Sequence, residues 1–229
     1  MQSPFSLPPL LLAAAYLLGN VSPGLLLARL SGHGDLRRQG SGATGATNAG
    51  RLLGKKGFAA VLALDMAKGA LAALLPVFVA LVFPEGLASG AAAEVPGGAG
   101  AVSVESTRLA GLSLACGLSV IAGHVWPALL GFRGGKGIGP FLGVWLAAGF
   151  VAWPAFWFAP ATLLIAVAGC WPLRPFLRKR ASLAALCVLP AQPFLFCLLA
   201  GTWKLLPPAL AMTLILLHAH RENFRREGD

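Results

Sequence analysis

The sequence predicts an all-α fold: a polytopic bundle of seven membrane-spanning helices, N-terminus outside and C-terminus cytoplasmic. Three observations predict it. Hydrophobic residues make up 57% of the chain and charged ones 11%, where a soluble domain carries roughly 25% charge. The mean hydropathy is +0.75, and a chain of 229 residues cannot enclose that much apolar surface in one aqueous core. The basic residues, which give a formal charge of +10, lie between apolar runs. This is a positive-inside pattern, not the basic face of a nucleic-acid-binding domain.

The spans follow from apolar runs of about 20 residues, with shorter ones tolerated in a bundle. They are Leu7 to Leu30, Gly57 to Phe83, Leu109 to Leu129, Ile138 to Ala152, Pro154 to Cys170, Leu183 to Thr202, and Leu205 to Ala219. The start, MQSPFSLPPL, has no basic region before its apolar run, so the first run reads as a retained span. Trp153 and Pro154 divide an otherwise overlong run; one kinked helix there would make six spans.

Charge in the loops sets the orientation. One side holds Arg37, Arg38, Arg51, Lys55 and Lys56, then Arg133 and Lys136, then Arg174, Arg178, Lys179 and Arg180, then Arg221, Arg225 and Arg226. The other holds only Arg108 and Lys204 as cations. The asymmetry needs an odd span count, and it makes the first side cytoplasmic. The stretch from Pro84 to Thr107, rich in Gly, Ala and Ser, reads as an external loop. Residues 1–229 form a single domain. Cys116, Cys170, Cys187 and Cys197 show no CxxC spacing and read as small buried hydrophobes.

Polar, glycine-dense sequence gathers on the cytoplasmic side in three pieces. The first is Gly40-Ser41-Gly42-Ala43-Thr44-Gly45-Ala46-Thr47-Asn48, followed by Arg51. Glycines let backbone N–H groups converge on an oxyanion, hydroxyls add donors, and a guanidinium adds a fork that suits phosphate. The nucleotide fingerprints fail here: no strand precedes the glycines, and Ala46 stands where a Walker lysine would be. The second piece is Gly131-Phe132-Arg133-Gly134-Gly135-Lys136-Gly137. Its glycines permit a close wrap while Arg133 and Lys136 supply charge. His124, just upstream, is a possible neighbour of the site. The third piece is His218-Ala219-His220-Arg221-Glu222-Asn223. At helical spacing His220 and Asn223 share a face and His218 points away from them. Two histidines at i and i+2 without paired carboxylates make no helical metal site, so no metal or cofactor is expected. Asp65 and Lys68 lie inside the second span. Charges at membrane depth are costly; these two either pair with each other, or Lys68 faces the anion site.

Together the pieces resemble the bacterial acyl-phosphate:glycerol-3-phosphate acyltransferase family. Its signature has a GSGN-x-GATN-xx-R loop, a GH-x-xP…GF-[RK]-GGKG stretch and a terminal HREN. This sequence reads GSGATGATNAGR, GHVWPALLGFRGGKG and HREN. The match runs over about residues 10 to 226. Ala43 replaces the family Asn, which removes one side-chain donor from the loop.

The resemblance implies transfer of a fatty acyl group from acyl phosphate to the sn-1 hydroxyl of glycerol 3-phosphate, giving lysophosphatidic acid and inorganic phosphate. The family uses neither acyl-CoA nor acyl-carrier protein. It has seven spans and a cytoplasmic-side active site in the bacterial inner membrane. Ser41, Gly42, Thr44, Gly45, Thr47, Asn48, Arg51, Arg133, Gly135 and Lys136 are the expected phosphate-binding residues. His220 and Asn223 are the expected catalytic pair, orienting glycerol 3-phosphate on the strength of the HREN match. Either a substrate phosphate, with His220 assisting, or His220 alone takes the hydroxyl proton. An acyl phosphate needs no covalent acyl-enzyme, and no Ser or Cys here has a base and an orienter. The expected partners are the two substrates and membrane lipid, with the protein a monomer and no nucleic acid. The alternative is a transporter or channel for a phosphate-bearing anion, which would need a polar path across the membrane.

Overall fold

The computed structural model describes residues 7–83, 104–151, 192–199 and 202–221, and among them every regular element is helical. In chain order these are α1 (Leu7–Asn20), α2 (Pro23–Leu30), α3 (Ala46–Val82), α4 (Val104–Val125), α5 (Ile138–Val151), α6 (Gln192–Leu199) and α7 (Leu206–Ala219). Three segments are long and apolar enough to cross a membrane: Leu7–Leu30, Ala46–Val82 and Thr107–Leu130. Two further apolar helices are shorter, Ile138–Ala147 and Trp203–Ala219.

α3 shows why these sequences need a bundle in lipid. Its buried residues Val61, Asp65, Lys68, Gly69, Ala72, Ala73 and Pro76 recur at helical spacing and so define one face. Leu64, Leu71 and Phe78, seven apart, are exposed on another. On the buried face Gly69, Ala72 and Ala73 are small and allow close backbone approach, the usual mode of helix association in membranes. α3 packs on α5 through Gly139, whose added Cβ would crowd Asp65 Cβ at 2.6 Å, and Gly143, which lies against the Met66 backbone. The largest side chains close the remaining space. Trp145 of α5 stacks edge-on to Phe196 of α6 at 4.9 Å and to Phe141 at 5.9 Å.

Three expectations are corrected. The first span is not one helix: it breaks at Val21–Ser22, where Ser22 caps α2 by accepting from Leu25 N at 3.3 Å and Pro23 begins it. Ser at the N-cap and Pro at N1 are favoured start signals. α3 does not start at Gly57. It begins at Ala46 and runs 37 residues, with a kink at Gly54 (φ 70°, ψ −167°). Ala46, Thr47 and Asn48 are therefore its first turn, and Arg51, Lys55 and Lys56 ride on an exposed helix. α4 begins at Val104, inside the stretch to Thr107 that was expected as a loop. The third span, expected over Leu109 to Leu129, is found as Thr107–Leu130; its α-helix stops at Val125 and a 3-10 turn after Pro127 completes it. The expected span from Pro154 to Cys170 lies outside the described residues, as do residues 183–191 of the next.

Candidate active site

The first loop is built on its own side chains. Asp35 caps a short 3-10 turn by accepting from Arg37 N at 2.9 Å. It also takes a forked pair of bonds from the Arg37 guanidinium, Nε at 3.0 Å and Nη2 at 2.7 Å. The Arg37 hydrogen bonds hold the Asp35 carboxyl down at about 2, so the pair stays ionised at any pH well above that value. The guanidinium's remaining Nη1 donates to Leu130 O at 2.9 Å, which ties this loop to the second.

Asn48 is the loop's internal staple. Its buried Nδ2 donates to Leu36 O (3.1 Å), Gln39 O (2.9 Å) and Ala43 O (3.0 Å). Its Oδ1 accepts from Ser41 N at 3.0 Å. With its amide committed to backbone groups, Asn48 shapes the loop from within. The chain then enters α3 with Gly45 as an N-cap that has no side-chain bond. The positive end of the α3 dipole thus opens beside the loop.

The second loop is anchored to helix ends. Tyr16 Oη donates to Trp126 O at 2.7 Å and Leu129 N to Asn20 Oδ1 at 3.0 Å, so α1 holds the turn after α4. Phe132 sits at φ 61°, a left-handed conformation that costs a bulky residue about 1–3 kcal/mol. The Phe132 N–H bond to Pro127 O at 2.9 Å pins it. Gly135 N donates to His124 O at 3.0 Å, and Thr44 N donates to Gly134 O at 3.3 Å. The two glycine loops are thereby joined backbone to backbone.

Between them lies a cavity of about 380 Å³, within the range of small-molecule sites. Ser41, Gly42 and Ala43 form one wall, and Arg133 to Lys136 another. The end of α7 closes it with His218, Ala219 and Arg221. Arg37 also lines it, so four cationic side chains face the space, and no Asp or Glu does among the described residues. Such a site suits a phosphate, or two phosphates held together.

The cavity therefore unites Ser41, Gly42, Arg133, Gly135 and Lys136, which the sequence proposed separately. Thr44 is buried at the junction, and its Oγ1 has no hydrogen-bond partner among the described residues. Gly45, Thr47 and Arg51 do not line the space; Thr47 and Arg51 are exposed on α3. His220 follows Ala209, Met212, Thr213 and Leu216 on the buried face of α7. Its Nδ1 lies 2.8 Å from Leu216 O, which makes Nδ1–H the donor and leaves the Nε2 lone pair available. Burial pushes the imidazole pKa below its ordinary value of 6.5; the bond to Leu216 opposes this shift and the Lys136 charge adds to it. Asn223 lies outside the described residues.

Asp65, Lys68 and His124 do not line the cavity. Asp65 and Lys68 pair with each other at 3.0 Å, both buried. Among the lining residues that the sequence reading did not propose are Arg37, Trp126, Phe132, His218 and Arg221. His218 turns from the His220 face, as its spacing says, but that direction is the cavity wall. There it packs on Trp126 at 5.7 Å between ring centroids and contacts the Arg221 guanidinium.

Three comparisons bear on what this arrangement is. The family model for glycerol-3-phosphate acyltransferase matches residues 9–228. Glycerol-3-phosphate acyltransferase 1 of Desulfitobacterium hafniense is 35% identical over 94% of this chain and 88% of its own length. The Rhodospirillum rubrum glycerol-3-phosphate acyltransferase is 41% identical over 93% and 84% respectively. The crystal structure of PlsY (YgiH), an integral membrane glycerol 3-phosphate acyltransferase, in its glycerol 3-phosphate form superposes with a TM-score of 0.67. It is 32% identical and covers 96% of this chain and 90% of that one. These likenesses do not favour an anion transporter. With the match running nearly from end to end, the chain belongs to the glycerol-3-phosphate acyltransferase family, whose solved relative is an integral membrane protein.

Proposed function

We propose that this protein moves a fatty acyl group from acyl phosphate to the sn-1 hydroxyl of glycerol 3-phosphate, releasing lysophosphatidic acid and inorganic phosphate. The observation that carries the reading is the four-cation cavity between two joined glycine loops. It is a container for phosphate groups on both substrates. In the reaction the sn-1 oxygen attacks the acyl carbonyl carbon, the bond from that carbon to the phosphate oxygen breaks, and the proton leaves with the phosphate. A mixed anhydride has a good leaving group, so no acyl-enzyme is required. The two cysteines among the described residues, Cys116 and Cys197, are buried and outside the cavity lining, and burial is not the setting of an activated thiolate. Holding two oriented reactants together supplies on the order of 7–11 kcal/mol of the barrier.

In this reading Ser41, the Gly42 backbone, Arg133, Gly135 and Lys136 hold phosphate in the cavity and offset developing charge, while Thr44, Gly45, Thr47 and Arg51, which do not line it, meet substrate only where it extends beyond the cavity. Asn48 contributes by shaping the loop. His220 and Asn223 orient the glycerol 3-phosphate, and a substrate phosphate takes the proton with His220 assisting. The chain acts as a single-domain monomer with seven spans in the bacterial inner membrane, its cavity on the cytoplasmic side.

Lys136→Ala tests the container directly. Removing one of the cavity's cations is expected to raise the KM for both substrates about tenfold, the worth of one charge-assisted hydrogen bond, with a smaller change in kcat. Unchanged KM values for both would remove Lys136 from phosphate binding. The reading as a whole is tested by incubating purified protein with palmitoyl phosphate and glycerol 3-phosphate and identifying the acylated product by mass spectrometry. Lysophosphatidic acid acylated at sn-1 is expected; its absence from folded protein would overturn the reading.

A further inference from the structure

The cavity leaves one buried polar cluster unused. Lys68 of α3 is 4% exposed and lies among four groups: Asp65 Oδ1 at 3.0 Å, Gly19 O at 3.3 Å, Val21 O at 2.7 Å and His124 Nδ1 at 2.8 Å. Three of these have an evident structural purpose. The break after α1 frees carbonyls at Gly19 and Val21 that need a donor in the membrane, and Asp65 neutralises the ammonium. Helix packing does not account for the fourth, a histidine whose Nδ1 meets that ammonium. An ammonium donates only, so Nδ1 is the acceptor and the ring proton sits on Nε2. Asp65 Oδ1 stands 3.5 Å from the same Nδ1, so both members of the ion pair hold the ring in its orientation.

What the fixed ring touches is the second glycine loop. A Cβ added to Gly135 would overlap His124 Nε2, and one added to Gly134 would overlap His124 O. Gly135 N donates to that same oxygen at 3.0 Å. His124 is 4% exposed and does not line the cavity; Gly134, Gly135 and Lys136 do.

We propose that the Lys68–His124 pair is a positioning device for the phosphate site: Lys68 locks the ring against which Gly135 packs, and so sets where the loop's backbone and Lys136 meet the ligand. The inference rests on the acyltransferase reading only for what the bound phosphate belongs to.

Three variants separate positioning from packing. His124→Asn keeps an acceptor at the same bond distance from Cβ as Nδ1, within reach of Lys68. His124→Gln places its amide at the Nε2 position, and His124→Leu keeps only bulk. The readout is the Kd for glycerol 3-phosphate by calorimetry on detergent-purified protein, with melting temperature alongside. All three are expected to lose about 10-fold to 100-fold in binding, the scale of a displacement near 1 Å, because Asn lacks the ring surface under Gly135 while Gln and Leu lack the acceptor that Lys68 holds, with melting temperatures close to the parent's. Binding within about threefold of the parent in either Asn or Gln, or melting temperatures that fall while Kd stays constant in all three, would overturn the proposal. Turnover of the parent protein, measured separately, tests the acyltransferase reading without touching this one.

Discussion

His220→Ala is expected to abolish turnover in a protein that still inserts, folds and binds acyl phosphate. The side chain sits at the end of α7's buried face with Nδ1 anchored on Leu216 O at 2.8 Å. That bond fixes the ring and, in the proposed role, leaves Nε2 to accept from a substrate hydroxyl. Losing one positioned proton-handling group costs about 10²–10⁴-fold, and losing the anchor point for glycerol 3-phosphate adds to it. Burial keeps the imidazole neutral below the ordinary histidine value of 6.5. In the proposed role the neutral form is the active one, and it is lost as pH falls through the lowered pKa. The acid limb of kcat/KM is therefore expected below 6.5. A limb at or above that value, or appreciable turnover by His220→Ala, would exclude His220 from the chemistry.

Gly134→Ala is expected to lower kcat/KM about 100-fold, although the change is a single methyl. The new Cβ would overlap His124 O and approach Pro127 Cδ at 2.7 Å and Val125 O at 2.8 Å. Two of those three are backbone atoms at the end of a membrane helix, which cannot turn aside as a flexible side chain can. The loop must move instead, and with it the Gly134 carbonyl that accepts from Thr44 N. Displacement of about 1 Å at a reacting centre is worth that loss. Gly111→Ala, whose added Cβ would meet only Leu205 Cδ2 at 3.8 Å, is the matched control and is expected to stay within about twofold. A Gly134→Ala enzyme as active as the control would mean that the junction of the two loops does not set the site.

Much of this was legible in the sequence. The glycine loops announced themselves because backbone donors need residues without Cβ. The lipid-facing helices did so because apolar length is a direct reading of membrane thickness. The break at Val21–Ser22 was also written there, in Ser22-Pro23, but the apolar run of Leu7 to Leu30 outweighed two capping residues. The early start of α3 was hidden because Gly50, Gly54, Lys55 and Lys56 lower the local hydropathy while the backbone stays helical. Asn48 looked like a ligand because its amide can bind phosphate. That the amide is spent on three carbonyls and one N–H is a tertiary fact. Arg37 passed for one more positive-inside charge, since its reach to Leu130 O depends on a loop 93 residues away. For His218 the helical spacing was read correctly, but no pattern says which face of a helix end meets the cavity.

The central claim is that acyl phosphate is the donor, and one measurement addresses it most directly. Purified protein is given glycerol 3-phosphate with either palmitoyl phosphate or palmitoyl-CoA, and inorganic phosphate, free CoA and lysophosphatidic acid are followed together. The account predicts phosphate and lysophosphatidic acid in equal amounts with the first donor and no acylated product with the second. Lysophosphatidic acid formed from palmitoyl-CoA, with palmitoyl phosphate left intact, would contradict it.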